Sequence, residues 1–429
     1  MKSFYLQPKF VSCLKNYSGQ QFVKDLIAGL IVAIIALPLS IALALASGAE
    51  PQQGIYTAIF AGFMVSLLGG SRIQIAGPTA AFATIVAGII ATQGMSGLIL
   101  ATLMAGIMLI IMGVCKLGGL IKYVPTTITV GFTSGIAVTI LVGQIKDFLG
   151  LTYHDGARPV ETFEKIEANI HNIDSFSWQA LVVGAVCLAI LIVYPKFDKK
   201  IPASLIAVIV GALMVKFIPV LDKGVFTIGE LYSNIPSGFP KFTLAGLDFS
   251  VDKILAVVPD AFTIAILAAI ESLLSCVVAD KMVDSKHNPN AELVAQGAGN
   301  MLSVMFGGIP ATGAIARTAA NAKNGGKTPI AGMVHAVVLL LVILFLMPLA
   351  KLIPMPAIAA ILFMVAYNMS EWRHFVKICK TEKWYNILVL AVTFILTVVK
   401  DLVVAIAVGL ALHLIFVLVN KIKAKKTNQ

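Results

Sequence analysis

Two glycine- and proline-containing interruptions break an otherwise almost continuous series of apolar segments. They are the stretches 68–82, LGGSRIQIAGPTAAF, and 306–318, FGGIPATGAIART. In lipid, non-helical backbone and charged side chains are costly unless protein or a polar cavity surrounds them. Two such interruptions at matching places in two halves of a membrane protein indicate a transporter's binding site near the middle of the bilayer.

The composition predicts one membrane domain without a separate soluble module. Of the 429 residues, 59% are hydrophobic and 12% are charged, whereas about 25% of the residues in a soluble domain are charged. The net charge of +11 is attributed to lysines that flank spans on the cytoplasmic side, so nucleic acid is not expected as a partner. The five scattered cysteines lack metal-ligand spacing and are interpreted as small apolar residues or free thiols.

Fourteen apolar segments are predicted along the chain, where a full span needs roughly 20 residues. They lie near 25–47, 53–69, 72–92, 95–115, 121–143, 176–194, 200–217, 253–279, 290–306, 308–322, 328–348, 353–369, 384–400 and 402–420. The predicted fold class is an all-α polytopic membrane protein with a short strand before each of half-helices 3 and 10. Because each half holds seven segments, the second half runs inverted relative to the first, which makes a 7+7 inverted repeat.

The same segments divide the chain into five parts. These are a cytoplasmic N-terminal segment (1–24), the first inverted repeat (25–217), a linker (218–252), the second inverted repeat (253–420) and a basic cytoplasmic tail (421–429). With both termini inside, the cytoplasmic connections carry more than twice as many lysines and arginines as the external ones. This bias predicts a multi-pass protein of the cell membrane with both termini in the cytoplasm.

Both interruptions are predicted to start a half-helix near the membrane centre. Gly77, Pro78 and Thr79 precede an apolar run, and Pro78 is expected at the first helical position, where its missing N–H costs nothing. The segment 309–314, IPATGA, repeats this design. A helix N-terminus carries about half a positive charge and free N–H donors, so two facing termini predict a site for a small anion. The alternative is a pair of proline kinks whose small residues serve helix packing.

Glu271 lies deep in the eighth segment, where a carboxylate is expensive and therefore indicates a functional site. A carboxyl group in a low-dielectric environment resists ionising, so Glu271 is expected to bind or release a coupling proton. Ser275 lies one turn further on the same helix face and could supply a neutral oxygen. Arg317, in the second half-helix, is expected to face the cavity and to balance anion charge or pair with Glu271. A purely structural role remains open for Glu271 and for Arg317.

Nothing in the sequence predicts an enzyme or a cofactor. The six histidines form no metal-spaced cluster, and no GxxxxGK[ST] phosphate-binding loop is present. ATP is therefore not expected as the energy source, and no metal site is expected apart from a sodium site at Glu271 and Ser275 if the coupling ion is sodium.

The stretch 279–318 resembles the SulP anion transporters, also called solute carrier family 26. Its matching motifs include KHNPN at 286–290 and FGGIPATGAIART at 306–318, and they are joined by ALP at 36–38 and GPT at 77–79. The resemblance covers about residues 20 to 420. It implies the uracil-permease-like fold, with a core domain (segments 1–4 and 8–11) that moves like an elevator against a gate domain (segments 5–7 and 12–14). It also implies small anions as substrates, such as sulfate, bicarbonate, chloride or dicarboxylates.

The resemblance also implies which residues form the site. The two half-helix starts would be Thr79, Ala80 and Ala81 in the first half and Gly313, Ala314 and Ile315 in the second, with Arg317 nearby. Glu271 matches the acidic position of segment eight. Sodium-coupled bicarbonate relatives typically have Asp there with Thr one turn on, so Glu271 with Ser275 favours a proton. Family members usually carry a STAS domain after the last segment, and none is expected in this sequence.

Three functions compete at this stage. The first is a secondary active transporter of a sulfate-type oxyanion coupled to protons, with sodium-coupled bicarbonate transport, dicarboxylate transport or anion exchange as alternatives. The second is nucleobase transport on the same fold, although a neutral ligand would not need Arg317. The third is a passive anion channel or a non-transporting scaffold, although a channel would not need Glu271. The expected partners are the anion, H⁺ or Na⁺ and the lipid bilayer, and a homodimer is left open.

Overall fold

A computed structural model describes residues 6–15, 17–119, 125–153, 159–197, 201–232, 236, 238–244, 247–400 and 402–427, with backbone alone at 402–403 and 420–427. The structure is 78% helical, which confirms the predicted helical class. Parts of several predicted elements lie outside the described residues, including the starts of the segments at 121 and 200 and parts of both termini and of the linker.

Each predicted segment of the first half overlaps a helix. The helices of this half are α1 (Lys9–Leu14), α2 (Gly19–Ala46), α3 (Pro51–Leu68), α4 (Ala80–Val114), α5 (Thr126–Leu149), α6 (Thr162–His171), α7 (Trp178–Val193), α8 (Ala203–Phe217), α9 (Pro219–Asp222) and α10 (Ile228–Leu231). Helix α4 includes the third predicted segment from residue 80 onwards and nearly all of the fourth. It bends between them at Gly94, whose φ of 72° interrupts the helical backbone.

The second half repeats most of this order. Its helices are α11 (Val251–Val283), α12 (Pro289–Met305), α13 (Ile315–Lys323), α14 (Ile330–Ala350), α15 (Met355–Met369), α16 (Trp372–Thr381), α17 (Trp384–Val399) and α18 (Leu402–Thr427). The sequence prediction omitted the short helices α1, α9 and α10, of six residues or fewer, and it omitted α6 and α16, each of 10 residues. Both are short and charged, so a search for apolar runs of spanning length passes over them.

Six helical stretches within the described residues are long and apolar enough to cross a membrane. They are α2, α4, α5, Trp178–Lys196, α11 and α14, and three shorter apolar helices accompany them at Ala203–Phe217, Trp384–Val399 and Val404–Val419. The structure is therefore that of a multi-pass membrane protein, and the count of fourteen spans stays a prediction.

The helices pack into two groups. The first helix group contains α2, α3, α4, α11, α12, α13 and α14, and the second helix group contains α5, α7, α8, α15, α17 and α18. The main contacts between the groups are made by α2, which packs on α8 and α15, and by α4, which packs on α5. The interface between the groups is thus formed mostly by two helices of the first half.

Two short strands join the halves inside the first helix group. Strand β1 (Ala76–Gly77) pairs antiparallel with β2 (Thr312–Gly313), so that Ala76 lies opposite Gly313 and Gly77 opposite Thr312. Each strand leads within a few residues into a helix, β1 into α4 and β2 into α13. The pairing therefore brings the starts of these two helices together.

A buried carboxylate fastens the start of α2 to the turn before α14. Asp25 is 0% exposed. Its Oδ1 accepts hydrogen bonds from the Lys327 backbone N–H (2.9 Å) and the Gln21 amide (2.9 Å). Its Oδ2 accepts from the Thr328 hydroxyl (2.6 Å) and the Tyr17 hydroxyl (3.0 Å). Several donors on one carboxylate compensate for its removal from water.

We expect Gly297→Ala to destabilise the protein, because α4 and α12 cross at Gly106 and Gly297. A Cβ atom at Gly297 would lie 2.7 Å from Ile110 Cγ1 and 3.0 Å from the Ile110 backbone nitrogen, so the helices must move apart. Overpacking of this kind costs about 1–3 kcal/mol. The measurement is the midpoint of thermal unfolding in detergent.

Gly88→Ala in α4 is the matched control, since a Cβ atom there meets nothing within 4 Å. This variant should be neutral or slightly stabilising, because alanine is the better helix former. Equal midpoints for Gly297→Ala and the unmodified protein would contradict the proposed tightness of the crossing.

Candidate functional site

The structure brings the two predicted half-helix starts together around the β1–β2 pair. Thr79 is the N-cap of α4, and Ala314 is the N-cap of α13, both with extended backbone. The expectation that Pro78 is the first helical residue is wrong, because α4 begins two residues later at Ala80. Pro78 instead links strand to helix, and its carbonyl accepts a hydrogen bond from the Arg317 guanidinium.

The backbone donors at these starts differ in availability. The N–H of Gly313 donates to Ser272 Oγ (3.0 Å), and the N–H of Ala314 donates to the Ile75 carbonyl (2.8 Å). Those two N–H groups therefore form hydrogen bonds that stabilise the protein itself. The first N–H groups of a helix have no partner within it, as at Ala80 and Ala81 of α4 and at Ile315 and Ala316 of α13, although Ala80 and Ala81 themselves are buried. The side chain of Ile315 is 45% exposed.

Glu271 of α11 contacts the first helix start directly. Its Oε2 accepts a hydrogen bond from the Thr79 hydroxyl at 3.0 Å, and the side chain is half-buried. Ser275, one turn further along α11, is fully buried, and its hydroxyl has no hydrogen-bond partner among the described residues. The residues Glu271 and Thr79 are separated by 192 positions in the chain, and only the fold makes them neighbours.

Arg317 is enclosed by protein. Its side chain is 1% exposed, so it faces neither lipid nor an open cavity. Its guanidinium lies against Gly77, where a Cβ atom would come within 2.5 Å of Nη1. Among the described residues, Nε and Nη1 have no hydrogen-bond partner, and no carboxylate lies within 4.0 Å of the guanidinium. The expected alternative of an Arg317–Glu271 ion pair is therefore wrong. Arg317 instead connects the two helix starts, because it belongs to the first turn of α13 and its guanidinium binds the Pro78 carbonyl just before α4.

The sequence analysis missed a second buried carboxylate next to the site. Glu292 of α12 is 0% exposed. Its oxygens accept hydrogen bonds from Gln74 Nε2 (2.8 Å), Gln296 Nε2 (2.9 Å) and the Gly70 N–H (2.9 Å). Gln74 lies two residues before the start of β1. Glu292 thereby holds the first broken segment against the second half of the chain.

Polar residues of α12 and α3 hold the second broken segment in the same way. The Asn300 side chain both donates to the Ala311 carbonyl and accepts from the Ala311 N–H, each at 2.8 Å. The Thr57 hydroxyl accepts from the Ile309 N–H at 2.7 Å. One signal in the sequence marks this face of α12, because Glu292, Gln296 and Asn300 recur every four residues within an apolar helix.

Comparisons with known proteins agree with this arrangement. The model of the sulfate permease family matches residues 22–393. YvdB of Bacillus subtilis strain 168, a protein provisionally named as a sulfate transporter, is 44% identical over 95% of this chain and 76% of its own length. The bicarbonate transporter BicA of Picosynechococcus strain PCC 7002 is 34% identical over 90% of this chain and 68% of its own length.

Solved structures show the same fold. The transmembrane domain of a cyanobacterial BicA aligns with a TM-score of 0.79 at 29% identity, covering 91% of this chain and 98% of that domain. SLC26A9 aligns with a TM-score of 0.86 at 20% identity, covering 97% of this chain and 68% of its own. These relatives are transporters and not enzymes, which confirms the expected absence of enzymatic activity. The resemblance stated from the motifs is likewise confirmed: this chain is a member of the sulfate permease family of membrane anion transporters.

Proposed function

We propose that this protein is a secondary active transporter of small inorganic anions, with a sulfate-type oxyanion as the substrate and a proton as the coupling ion. One observation carries the proposal. The β1–β2 pairing places the starts of α4 and α13 side by side, and Glu271 hydrogen-bonds to the cap residue of one of them.

The substrate binds between the two helix starts. Each start contributes partial positive charge and N–H donors, at Ala80 and Ala81 on one side and at Ile315 on the other. The buried guanidinium of Arg317 adds a full positive charge behind both starts. Such a site selects negative charge and small size. A neutral nucleobase would gain nothing from this concentration of positive charge.

Two observations favour sulfate over bicarbonate as the substrate. They are the names of the relatives and the charge around the site. The relative with 44% identity is named for sulfate, whereas the relative with 34% identity is named for bicarbonate. A divalent oxyanion also gains more than a monovalent one from a buried arginine that no carboxylate neutralises within the described residues.

Glu271 couples the anion to a proton. Its carboxyl group contacts the Thr79 hydroxyl at one edge of the proposed site. An anion that arrives between the helix starts adds negative charge nearby and favours the protonated form of Glu271. By linkage, protonation of Glu271 then favours anion binding by the same factor. This mutual preference is the thermodynamic requirement for symport.

Sodium is the second candidate for the coupling ion, and one observation favours it. The Ser275 hydroxyl is buried one turn from Glu271 without a hydrogen-bond partner among the described residues. With the carboxylate of Glu271 it would offer oxygen ligands of the kind that a hard cation prefers. Bicarbonate transport driven by sodium is therefore the alternative that the experiments below must separate.

We also propose that the two halves, 25–217 and 253–420, form a 7+7 inverted repeat of fourteen spans. The packing supports this repeat, because helix contacts recur when each helix is replaced by its counterpart in the other half. Helix α14 packs on α3 as α4 packs on α12, and α17 packs on α5 as α7 packs on α15. The antiparallel β1–β2 pair is what a two-fold axis in the membrane plane would generate.

The two helix groups then act as core and gate in an elevator-like cycle. The core carries both helix starts, Glu271 and Arg317, and contacts the gate mainly through α2 and α4. A limited interface of this kind permits the core to slide as a rigid body. The positive-inside bias supports cytoplasmic termini, with 1–24 and 421–429 inside the cell and 218–252 outside it.

Ala314→Trp should abolish labelled sulfate uptake into proteoliposomes, because the indole ring would fill the space between the helix starts. Ala314 is 8% exposed at the start of α13. Ala350→Trp is the matched control, since Ala350 has the same exposure at the end of α14. Unfolding midpoints are measured to verify that both variants remain folded, and normal transport by Ala314→Trp would refute this placement of the substrate.

Arg317→Gln should weaken sulfate binding by about tenfold or more, which corresponds to about 1.4 kcal/mol. The loss should be smaller for monovalent bicarbonate, because the buried charge interacts with half the ligand charge. Arg72→Gln provides the control, since Arg72 belongs to the other broken segment but is exposed. Affinities are measured by isothermal titration calorimetry. Unchanged affinity for every anion would make Arg317 a structural residue.

Glu271→Gln should retain sulfate binding and exchange but lose accumulation driven by a proton gradient, because glutamine mimics the protonated carboxyl group. Uptake is measured under a proton gradient and a sodium gradient separately. Asp260→Asn, eleven positions earlier on the same helix, is the control and should accumulate sulfate normally.

Two results would overturn the coupling proposal. Sodium-dependent uptake that does not respond to pH would replace the proton with sodium. Gradient-driven accumulation by the Glu271→Gln variant would remove Glu271 from the mechanism.

A further inference from the structure

Helix α16 lies between the apolar helices α15 and α17 and presents three different faces. Its inner face holds Phe375 and Ile378. Ile378 is 4% exposed and packs in a small apolar cluster with Val130 and Leu390. The Phe375 ring lies 5.5 Å from the Phe394 ring. These contacts dock the helix on α5 and α17 and fix the direction of its other two faces.

One outer face is apolar and the next is basic. Trp372 and Val376 are 47% and 40% exposed, one turn apart. Arg373, Lys377 and Lys380 are exposed and follow each other at the spacing of one helix face. The Arg373 guanidinium carbon lies 5.4 Å from the Trp372 ring centre, so the two faces meet along one edge. A helix with adjacent exposed apolar and basic faces is typical of a membrane interface.

The basic face keeps its charge uncompensated within the described residues. The two nearest acidic residues in the sequence have other partners: Glu371 contacts His374 Nδ1 at 3.2 Å, and Glu382 accepts from Asn386 at 2.8 Å. No carboxylate in that part of the chain lies within 4.0 Å of the charged groups of Arg373, Lys377 or Lys380. An anionic ligand would therefore meet three free positive charges in a row.

Helix α6 offers an internal comparison at the corresponding place in the first half, between α5 and α7. It also exposes apolar side chains, with Phe163 at 57% and Ile170 at 65%. Its charge is different, because Glu161, Glu164 and Glu167 accompany a single lysine. Hydrogen bonds from the backbone N–H groups of Val160 and Glu161 lower the pKa of Glu164, so this carboxyl group stays ionised. The apolar face is thus common to both helices, and the basic face belongs to α16 alone of the two.

We propose that α16 lies in the interface of the cytoplasmic leaflet and binds the headgroups of anionic phospholipids through Arg373, Lys377 and Lys380. The exposed Trp372 and Val376 insert among the acyl chains beside these headgroups. This placement rests on the proposed topology, in which the connection between α15 and α17 is cytoplasmic. The cytoplasmic leaflet is the one whose anionic lipids attract basic segments near the membrane.

Binding can be followed with the native tryptophans. The chain has three, at positions 178, 372 and 384, so the double variant Trp178→Phe/Trp384→Phe leaves Trp372 of α16 as the reporter. The protein is reconstituted in phosphatidylcholine vesicles with increasing fractions of brominated phosphatidylglycerol in both leaflets. We expect stronger quenching than with brominated phosphatidylcholine at equal fraction, and no competition from soluble glycerol phosphate.

The triple variant R373Q/K377Q/K380Q should lose the preference for brominated phosphatidylglycerol, because each of the three charges contributes roughly fivefold to headgroup binding. The matched control K216Q/K223Q/K241Q removes the same charge from exposed lysines elsewhere and should leave the quenching curve unchanged. Each single variant is tested as well, so that a folding defect of the triple variant does not decide the outcome. Quenching depends on neither substrate nor coupling ion, so it is independent of the transport assays.

Three outcomes would overturn the proposal. The first is equal quenching by brominated phosphatidylglycerol and brominated phosphatidylcholine. The second is an unchanged curve for R373Q, K377Q and K380Q alike. A shift of the same size in the control variant would assign the effect to net charge and would equally remove α16 from the explanation.

Discussion

Hydrogen bonding of non-helical backbone inside a membrane domain is the constraint on which the rest of this structure depends. Lipid offers no partners for free N–H and C=O groups. The two broken segments therefore pair with each other as β1 and β2, and side chains of the surrounding helices α3, α11, α12 and α13 bond to other backbone groups of these segments. Asn300 bonds to both backbone groups of Ala311, Ser272 accepts from Gly313, and Thr57 accepts from Ile309. The two helix starts are thereby fixed relative to each other, which is the preorganisation that an anion site requires.

The buried polar side chains near the two helix starts differ in the number of hydrogen bonds that they make. Glu292 receives three hydrogen bonds and belongs to the framework. Within the described part of the chain, Glu271 receives one, from Thr79, and the Arg317 guanidinium makes one, to Pro78. A group whose bonding capacity is already filled responds little to a ligand, whereas a sparsely bonded one gains from its arrival. This difference supports the proposed roles of Glu271 and Arg317 in proton and substrate binding over such a role for Glu292.

Transport by movement of one helix group needs a second group that stays in place. The contacts between the groups involve mainly α2 and α4, so each group packs largely within itself. Helix α16 packs on α5 and α17 of the second group. If its basic face holds anionic headgroups, the lipid leaflet itself helps to hold the second helix group in place in the proposed elevator-like cycle.

The sequence by itself determined the class, the helical segments, the two broken segments and the isolated carboxylate Glu271. It could do so because lipid demands apolar runs of a set length and makes every departure from them conspicuous. Helices α6 and α16 escaped this reasoning because their signal is amphipathic and not apolar. Only the tertiary structure decided that Thr79 meets Glu271, that Arg317 bonds to Pro78 rather than to Glu271, and that the N–H groups of Gly313 and Ala314 serve the fold. These pairings join residues that are distant in the chain, and their partners are set by packing geometry that no local pattern encodes.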